Sequence, residues 1–222
     1  VDDSDVYDPY FLIEFKFTIG SDVEIADFVK NSNQIIGYRS NEIFLLNYDP
    51  IKCISGRIFH LHSNFKSKGK IIDLNVMSTN LMNQIFFVAL FTDVFYICCL
   101  EDQKVIILYH LICDEKDTFT TGIPGYLSMS DKEYTKCIYK IATKKKIISI
   151  KLALNEKERE KPIVWMKSFE IEMEDDEEIV NVIHSRPSTM CILTHKHIYM
   201  GRQLMSKTSK FEIFEKFPLD ED

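Results

Sequence analysis

The sequence predicts an all-β chain of four successive antiparallel sheets, and three observations carry that prediction. Apolar segments recur in the same order at intervals of roughly 50 residues, near the period of sheet-building repeats. Within them, apolar and polar residues alternate with a period of two, which fits a half-buried strand and not a 3.6-residue helix. Aromatic residues make up 12% of the chain, with 16 Phe and 10 Tyr, and such residues fit a pleated surface.

The elements follow in chain order. Phe11, Ile13, Phe15, Phe17 and Ile19 alternate with Leu12, Glu14, Lys16 and Thr18, which predicts a leading strand over 10–19. The first unit, 23–63, starts with the short run Ile25-Ala-Asp-Phe-Val29. Its hairpin is Asn33-Gln-Ile-Ile-Gly-Tyr-Arg-Ser-Asn-Glu-Ile-Phe-Leu-Leu-Asn-Tyr-Asp49, and it closes on Arg57-Ile-Phe-His-Leu61. The second, 70–112, repeats this order with Ile71-Ile-Asp-Leu74, a hairpin that again begins Asn83-Gln-Ile85, and a closing run from Lys104 to Leu111. The third, 125–173, has Tyr126-Leu-Ser-Met129, a hairpin over 136–152 and a run from Ile163 to Glu172. The fourth, 178–217, has Ile179-Val-Asn-Val-Ile183, a hairpin over 189–201 and Phe211-Glu-Ile-Phe214.

Four strands per unit and four units make the pattern of a β-propeller, whole or as a segment of a larger ring. The strands over 85–91 and 94–100 are apolar on both faces, as strands packed between neighbouring sheets should be. A two-sheet sandwich of short strands is the alternative. The near-constant offset of a four-run unit favours the propeller.

Polar connections separate the units. Cys113 to Pro124 reads as a polar link ending in the turn Gly122-Ile-Pro-Gly125, and 155–161 reads as a solvated excursion. The chain begins on Val and carries acidic residues at each end (Asp2, Asp3 and Asp5; Asp220, Glu221 and Asp222). It reads as a piece of a longer protein.

The bulk chemistry excludes several classes. A net charge of −7 argues against binding nucleic acid across the whole surface, because neutralising phosphates requires a basic excess. Six cysteines, at 53, 98, 99, 113, 137 and 191, form no C-x-x-C pair and sit mostly in apolar runs. They read as reduced, small core residues, the expectation in an intracellular protein, cytosolic or nuclear. No run of 18 apolar residues is present, so no membrane-inserted helix is expected.

No G-x-S-x-G, H-E-x-x-H, G-x-G-x-x-G or phosphate-cradling loop occurs, so no catalytic or cofactor-binding residue is assigned and no enzyme is expected. His60 and His62 form one H-x-H pair, and His195 and His197 another. Two histidines on one strand face fall short of a metal's ligand set, and no carboxylate stands beside them by spacing, so no metal is expected.

Two charged segments are candidate contact points. Lys144, Lys145 and Lys146 occupy the hairpin turn of the third unit, where they read either as a solvated turn or as a contact for phosphates or an acidic surface. Glu174, Asp175, Asp176 and Glu177 lie in the densest acidic segment, 170–178. It reads as a solvated run or as a dock for a basic partner.

The four-unit pattern resembles the WD40-like propeller class over nearly the whole chain. The Gly-His and Trp-Asp signature pairs of that class are absent, and Asn47-Tyr48-Asp49 stands where a unit would close on Trp-Asp. It resembles the divergent propellers of large eukaryotic assemblies: nucleoporin scaffolds, vesicle-tethering subunits and transcription-factor scaffolds. Ile183-His-Ser-Arg-Pro-Ser-Thr-Met-Cys-Ile-Leu-Thr194 resembles the last of these, in particular the propeller-bearing subunit of the RNA polymerase I core factor. The resemblance implies a non-enzymatic scaffold that holds other protein subunits, with nuclear transcription or pore assembly as its setting and hence a nuclear location in preference to a cytoplasmic one. The alternative is an auxiliary subunit that touches nucleic acid through the lysine-bearing turn.

Overall fold

Hairpins with tight two-residue turns build the fold. In the computed structural model, Ser40 and Asn41 have φ of 47° and 67°, and Asp102 and Gln103 have 48° and 63°. Two consecutive left-handed residues define the turn whose twist matches that of the flanking strands. The structure describes residues 22–29, 32–49, 54–61, 64–78, 85–123, 127–130, 134–155, 162–186, 189–203 and 211–219. The leading strand expected over 10–19 and the excursion at 156–161 lie outside them.

The described residues form four antiparallel sheets. The first is β1 (Ile25–Val29), β2 (Gln34–Arg39), β3 (Glu42–Asp49) and β4 (Ile54–Leu61), hydrogen-bonded in that order. The second is β5 (Ile71–Ser78), β6 (Ile85–Phe91), β7 (Val94–Glu101) and β8 (Lys104–Ile112). The third contains β9 (Phe119–Ile123), β10 (Leu127–Ser130), β11 (Tyr134–Thr143), β12 (Lys146–Asn155) and β13 (Ile163–Glu170). The fourth is β14 (Asn181–Arg186), β15 (Thr189–Leu193), β16 (His197–Gln203) and β17 (Phe211–Pro218).

The third sheet departs from the sequence reading. Its innermost strand comes in two pieces: β9 pairs with Lys140–Thr143 of β11, and β10 pairs with Tyr134–Cys137. The unit therefore starts at Phe119, inside the stretch read as a polar link. Phe119 and Ile123 are buried at the two ends of a Thr-Thr-Gly core, too sparse an apolar pattern to announce a strand. Gly122 is needed there, because a Cβ would overlap the Tyr139 hydroxyl and the Asp73 carboxylate.

The sheets stand side by side and not as two layers. Their innermost strands touch in succession, β1 to β5, β5 to β9 and β9 to β14. Polar side chains bridge each step. Asp27 on β1 accepts from the Val76 backbone N–H at 2.7 Å, Asp73 on β5 accepts from the Tyr139 hydroxyl at 2.5 Å, and the Thr121 hydroxyl reaches Asn181 Oδ1 at 3.3 Å. Asp27 and Asp73 hold the same place in their repeats, the third residue of Ile-Ala-Asp and of Ile-Ile-Asp.

Three of the four apolar clusters among the described residues are shared between two sheets, and the fourth, around Ile35, Phe44 and Leu46, belongs to the first sheet alone. Ile36, Ile43 and Leu61 of the first pack with Leu74, Phe87 and Cys98 of the second. Val88, Phe95 and Ile97 of the second pack with Tyr139, Ile141 and Ile150 of the third. Ala142, Ile147 and Phe169 of the third pack with Val182, Met190 and Tyr199 of the fourth. Every residue of β7 up to Leu100 is buried, which is why its sequence shows no polar face. Removing the Phe95 side chain would cost about 3–5 kcal/mol. Cys98, Cys99, Cys113 and Cys191 are free thiols, and Cys98 is fully buried.

Candidate interaction surface

The two charged segments singled out in the sequence meet each other. The β11–β12 turn presents Lys144 and Lys145, and the link between β13 and β14 folds back across it. Backbone bonds lace the two together: the Ile171 N–H donates to the Lys145 carbonyl at 3.0 Å, and the Ile179 N–H to the Lys144 carbonyl at 2.8 Å. Lys144 Nζ then lies 2.7 Å from a Glu178 carboxylate oxygen, while Lys145 Nζ donates to the Glu174 and Asp175 carbonyls at 3.2 and 2.7 Å. Lys146 pairs with Glu170 across the β12–β13 ladder at 3.8 Å. From the fourth sheet, Lys196 reaches Asp176 and Lys216 reaches Glu174, both at 2.5 Å. Ion pairs this exposed contribute little to stability, because water and salt screen them. Their effect is to neutralise both segments.

Glu177 differs from its neighbours, because it is 1% exposed. Its carboxylate accepts from the Thr194 hydroxyl at 2.5 Å, from His197 Nδ1 at 2.8 Å, from the Glu174 N–H at 3.3 Å and from the Tyr199 hydroxyl. Burial pushes its pKa up, but the hydrogen bonds from Thr194, Tyr199 and His197 outweigh that and hold it at about 2. The acidic segment is thus not all solvated. One of its carboxylates fastens the loop to the fourth sheet.

This fastening also places the histidines. His197 begins β16 and points at Glu177, while His195 sits exposed in the preceding turn, so the two do not share a strand face. His60 lies 3.2 Å from Glu42 and 3.3 Å from Arg39; His62 lies outside the described residues. Ligand atoms of Glu174, Glu177 and His197 come within 4.8 Å of one another. Four N–H and O–H donors aimed at Glu177, with the Lys216 ammonium on Glu174, make this a hydrogen-bonded hub in which a cation would displace donors already in place.

The second sheet repeats the device. Asp93, in the β6–β7 turn, accepts from the Ser67 hydroxyl at 2.5 Å and from the Lys68 N–H at 2.8 Å, tying the incoming link to the central hairpin. Burial raises its pKa, but the bonds from Ser67, Lys68 and Gly69 overcome that and lower it. Asp93 and Thr194 both sit just after the second strand of their sheets, so aligning the turns as well as the strands would have flagged both. Beside this clasp, a groove of about 770 Å³ runs between Lys66, Lys68 and the link carrying Asp114 and Asp117, over Tyr96 and His110.

One cation of the third sheet is buried. Lys140 is 8% exposed, and among the described residues the contact of its ammonium is the Met190 sulfur at 3.9 Å. Burial lowers its pKa.

Four four-stranded antiparallel sheets, set side by side with successive inner strands in contact, constitute a WD40-like β-propeller fold. The WD40 domain of SCAP from fission yeast is similar, with a TM-score of 0.52 and 10% identity over 90% of this chain and 42% of that one. The β-propeller domain of Nup133 from Vanderwaltozyma polyspora shares 9% identity at a TM-score of 0.46, over 90% of this chain and 63% of its own. The chain spans less than half the length of the SCAP domain. No family model and no curated protein sequence matches it. Among the described residues, no helix is long and apolar enough to cross a membrane.

Proposed function

We propose that this chain is a non-enzymatic protein-interaction scaffold, a subunit of a multi-subunit eukaryotic complex, with a nuclear assembly for transcription or pore building as its setting. The observation that supports it is the chemistry of the outermost strands. Ile112 on β8 is 69% exposed, Trp165 on β13 is 50% exposed and Phe214 on β17 is 53% exposed, accompanied by Ile106, Met166 and Phe217. Large apolar side chains repeated on outer edges, beside strand backbone that pairs with no further strand among the described residues, are what a protein partner covers. The lysine-bearing turn supports no second reading through nucleic acid, because Lys144 and Lys145 already face the acidic loop.

The test is affinity isolation of the tagged chain from its own cells at low salt, with quantitative mass spectrometry. Defined subunits should co-purify in fixed ratio, and replacing Ile112, Met166 and Phe214 by Ser should release them while the fold persists. A chain recovered alone and monomeric, or one whose partners ignore these substitutions, overturns the reading.

A further inference from the structure

We infer that the outer edge of the third sheet, at the end away from its lysine turn, is a docking edge for an extended acidic peptide strand of a partner subunit. This rests on the scaffold reading and names the chemistry of one partner.

The fourth sheet covers only part of the face turned toward it. β11 and β12 are each ten residues long, whereas β15 has five. The shared core takes Ile123, Ala142, Ile147 and Phe169 from the third sheet, the end near the turn. Further along the same face, register places Lys140, Ser149 and Lys167 in one cross-strand row, and Lys151 opposite Trp165 in the next. With strands about 4.8 Å apart and diagonal neighbours about 7–8 Å apart, the three lysines lie within about 10 Å of one another along the backbone.

These cations are unlike the others of this region. Lys144, Lys145, Lys146, Lys196 and Lys216 all meet carboxylates or carbonyls. Among the described residues, Lys140 meets only the Met190 sulfur, and the Lys151 ammonium stands 5.5 Å from the centre of the Trp165 ring. Lys167 has no carboxylate partner among them. Lys140 itself is covered by the fourth sheet, so the groups offered to a partner are Lys151 and Lys167; in a chain of net charge −7, these two are a local positive field that draws an anionic group.

The occupant follows from the strand that carries the cluster. Among the described residues β13 is the last strand of its sheet, so one row of its N–H and C=O groups meets no other described strand and can pair with another backbone. Ile163, Trp165 and Lys167 project on one face at two-residue spacing, while Met166 lies exposed on the other. A peptide strand added at this edge would alternate in the same way, placing apolar residues against Ile163 and Trp165 and a carboxylate beside Lys167 and Lys151. A nucleic acid would satisfy the ammonium groups but not the open amides, so the peptide is the better match.

Trp165 is the one Trp of the sequence, so its fluorescence reports on this edge directly. The probe is a synthetic peptide alternating Glu with Leu and Val. It is compared with the same peptide carrying Lys for Glu, with one N-methylated at alternate amides, and with a single-stranded DNA of equal length. The acidic peptide should shift Trp165 emission in a saturable, salt-sensitive manner. Affinity should fall at least tenfold for the Lys151→Glu/Lys167→Glu variant, less for the Gln pair, and be lost for the N-methylated probe. The proposal is overturned if the acidic peptide leaves the emission unchanged, if the basic or N-methylated peptide binds equally well, or if DNA alone binds. The scaffold reading fails separately: a chain that keeps its subunits yet ignores the peptide sinks only the edge.

Discussion

The Tyr139 hydroxyl of the third sheet donates to the Asp73 carboxylate on the inner strand of the second at 2.5 Å, closing the seam between them. Burial raises the pKa of Asp73, and the bonds from Tyr139 and the Leu74 N–H pull it back only in part. A raised folded-state pKa means the native chain holds a proton that the unfolded chain releases. The contribution of Asp73 is therefore fully present below the ordinary value of 3.8 and lost as pH rises through its folded-state value. Melting temperature followed from pH 3 to pH 7 should decline less in Asp73→Asn than in the parent. Tyr139→Phe takes the hydroxyl donor from the buried carboxylate, leaving it the Leu74 N–H, and should cost about 1–3 kcal/mol at neutral pH.

Glu177 carries the opposite sign. Held at about 2, it contributes stability that is complete above its unfolded value of 4.5 and lost as pH falls through about 2. Glu177→Gln should cost on the order of 3 kcal/mol at pH 7 and flatten the acid limb of the stability curve between those values. Denaturant titrations of both chains at pH 7 and pH 2.5 measure this; an unchanged acid limb would show that the hub is not held as a carboxylate.

Lys140→Met should stabilise the fold. The ammonium is buried against a thioether, and an apolar chain of similar volume removes that penalty, a gain of about 1–2 kcal/mol. The increase in melting temperature should shrink toward pH 10, where the native lysine also becomes neutral without cost.

Backbone geometry sets a fourth pair of expectations. Gln103 sits at φ of 63° in the β7–β8 turn, a left-handed position that costs a side chain about 1–2 kcal/mol, offset by the extra freedom glycine has when unfolded. Gln103→Gly should raise stability by roughly 0.5–1 kcal/mol. Gly37 faces Phe44 across the β2–β3 ladder, and a Cβ there would overlap the buried ring. Gly37→Ala should therefore lose about 1–3 kcal/mol, measurable by chemical denaturation.

The hairpins were legible because repetition reinforced them. Asn33-Gln-Ile35 and Asn83-Gln-Ile85 lead into β2 and β6, and the alternation over 148–152 became β12. What the sequence hid was decided at long range. Phe119 to Ile123 forms a strand only because β11 offers an edge to it, and its Gly-Ile-Pro-Gly continuation looks like a turn in isolation. Glu177 cannot be told from Glu174 or Glu178 by its neighbours in sequence, since Thr194, His197 and Tyr199, which bury it, arrive from 17 to 22 residues away. The lysine turn and the acidic run are legible in the sequence as charged segments, but their mutual contact depends on how the link after β13 folds back.

The sharing of an apolar cluster between the second and third sheets has a consequence for a broken chain. A cut in the link between β8 and β9 would leave two fragments, each exposing one side of the Val88, Phe95, Tyr139 and Ile150 cluster. Neither fragment can bury that side alone, and each is the shape that fits the other. The severed halves should therefore reassociate on mixing, and the nicked protein should melt at a temperature that depends on its concentration.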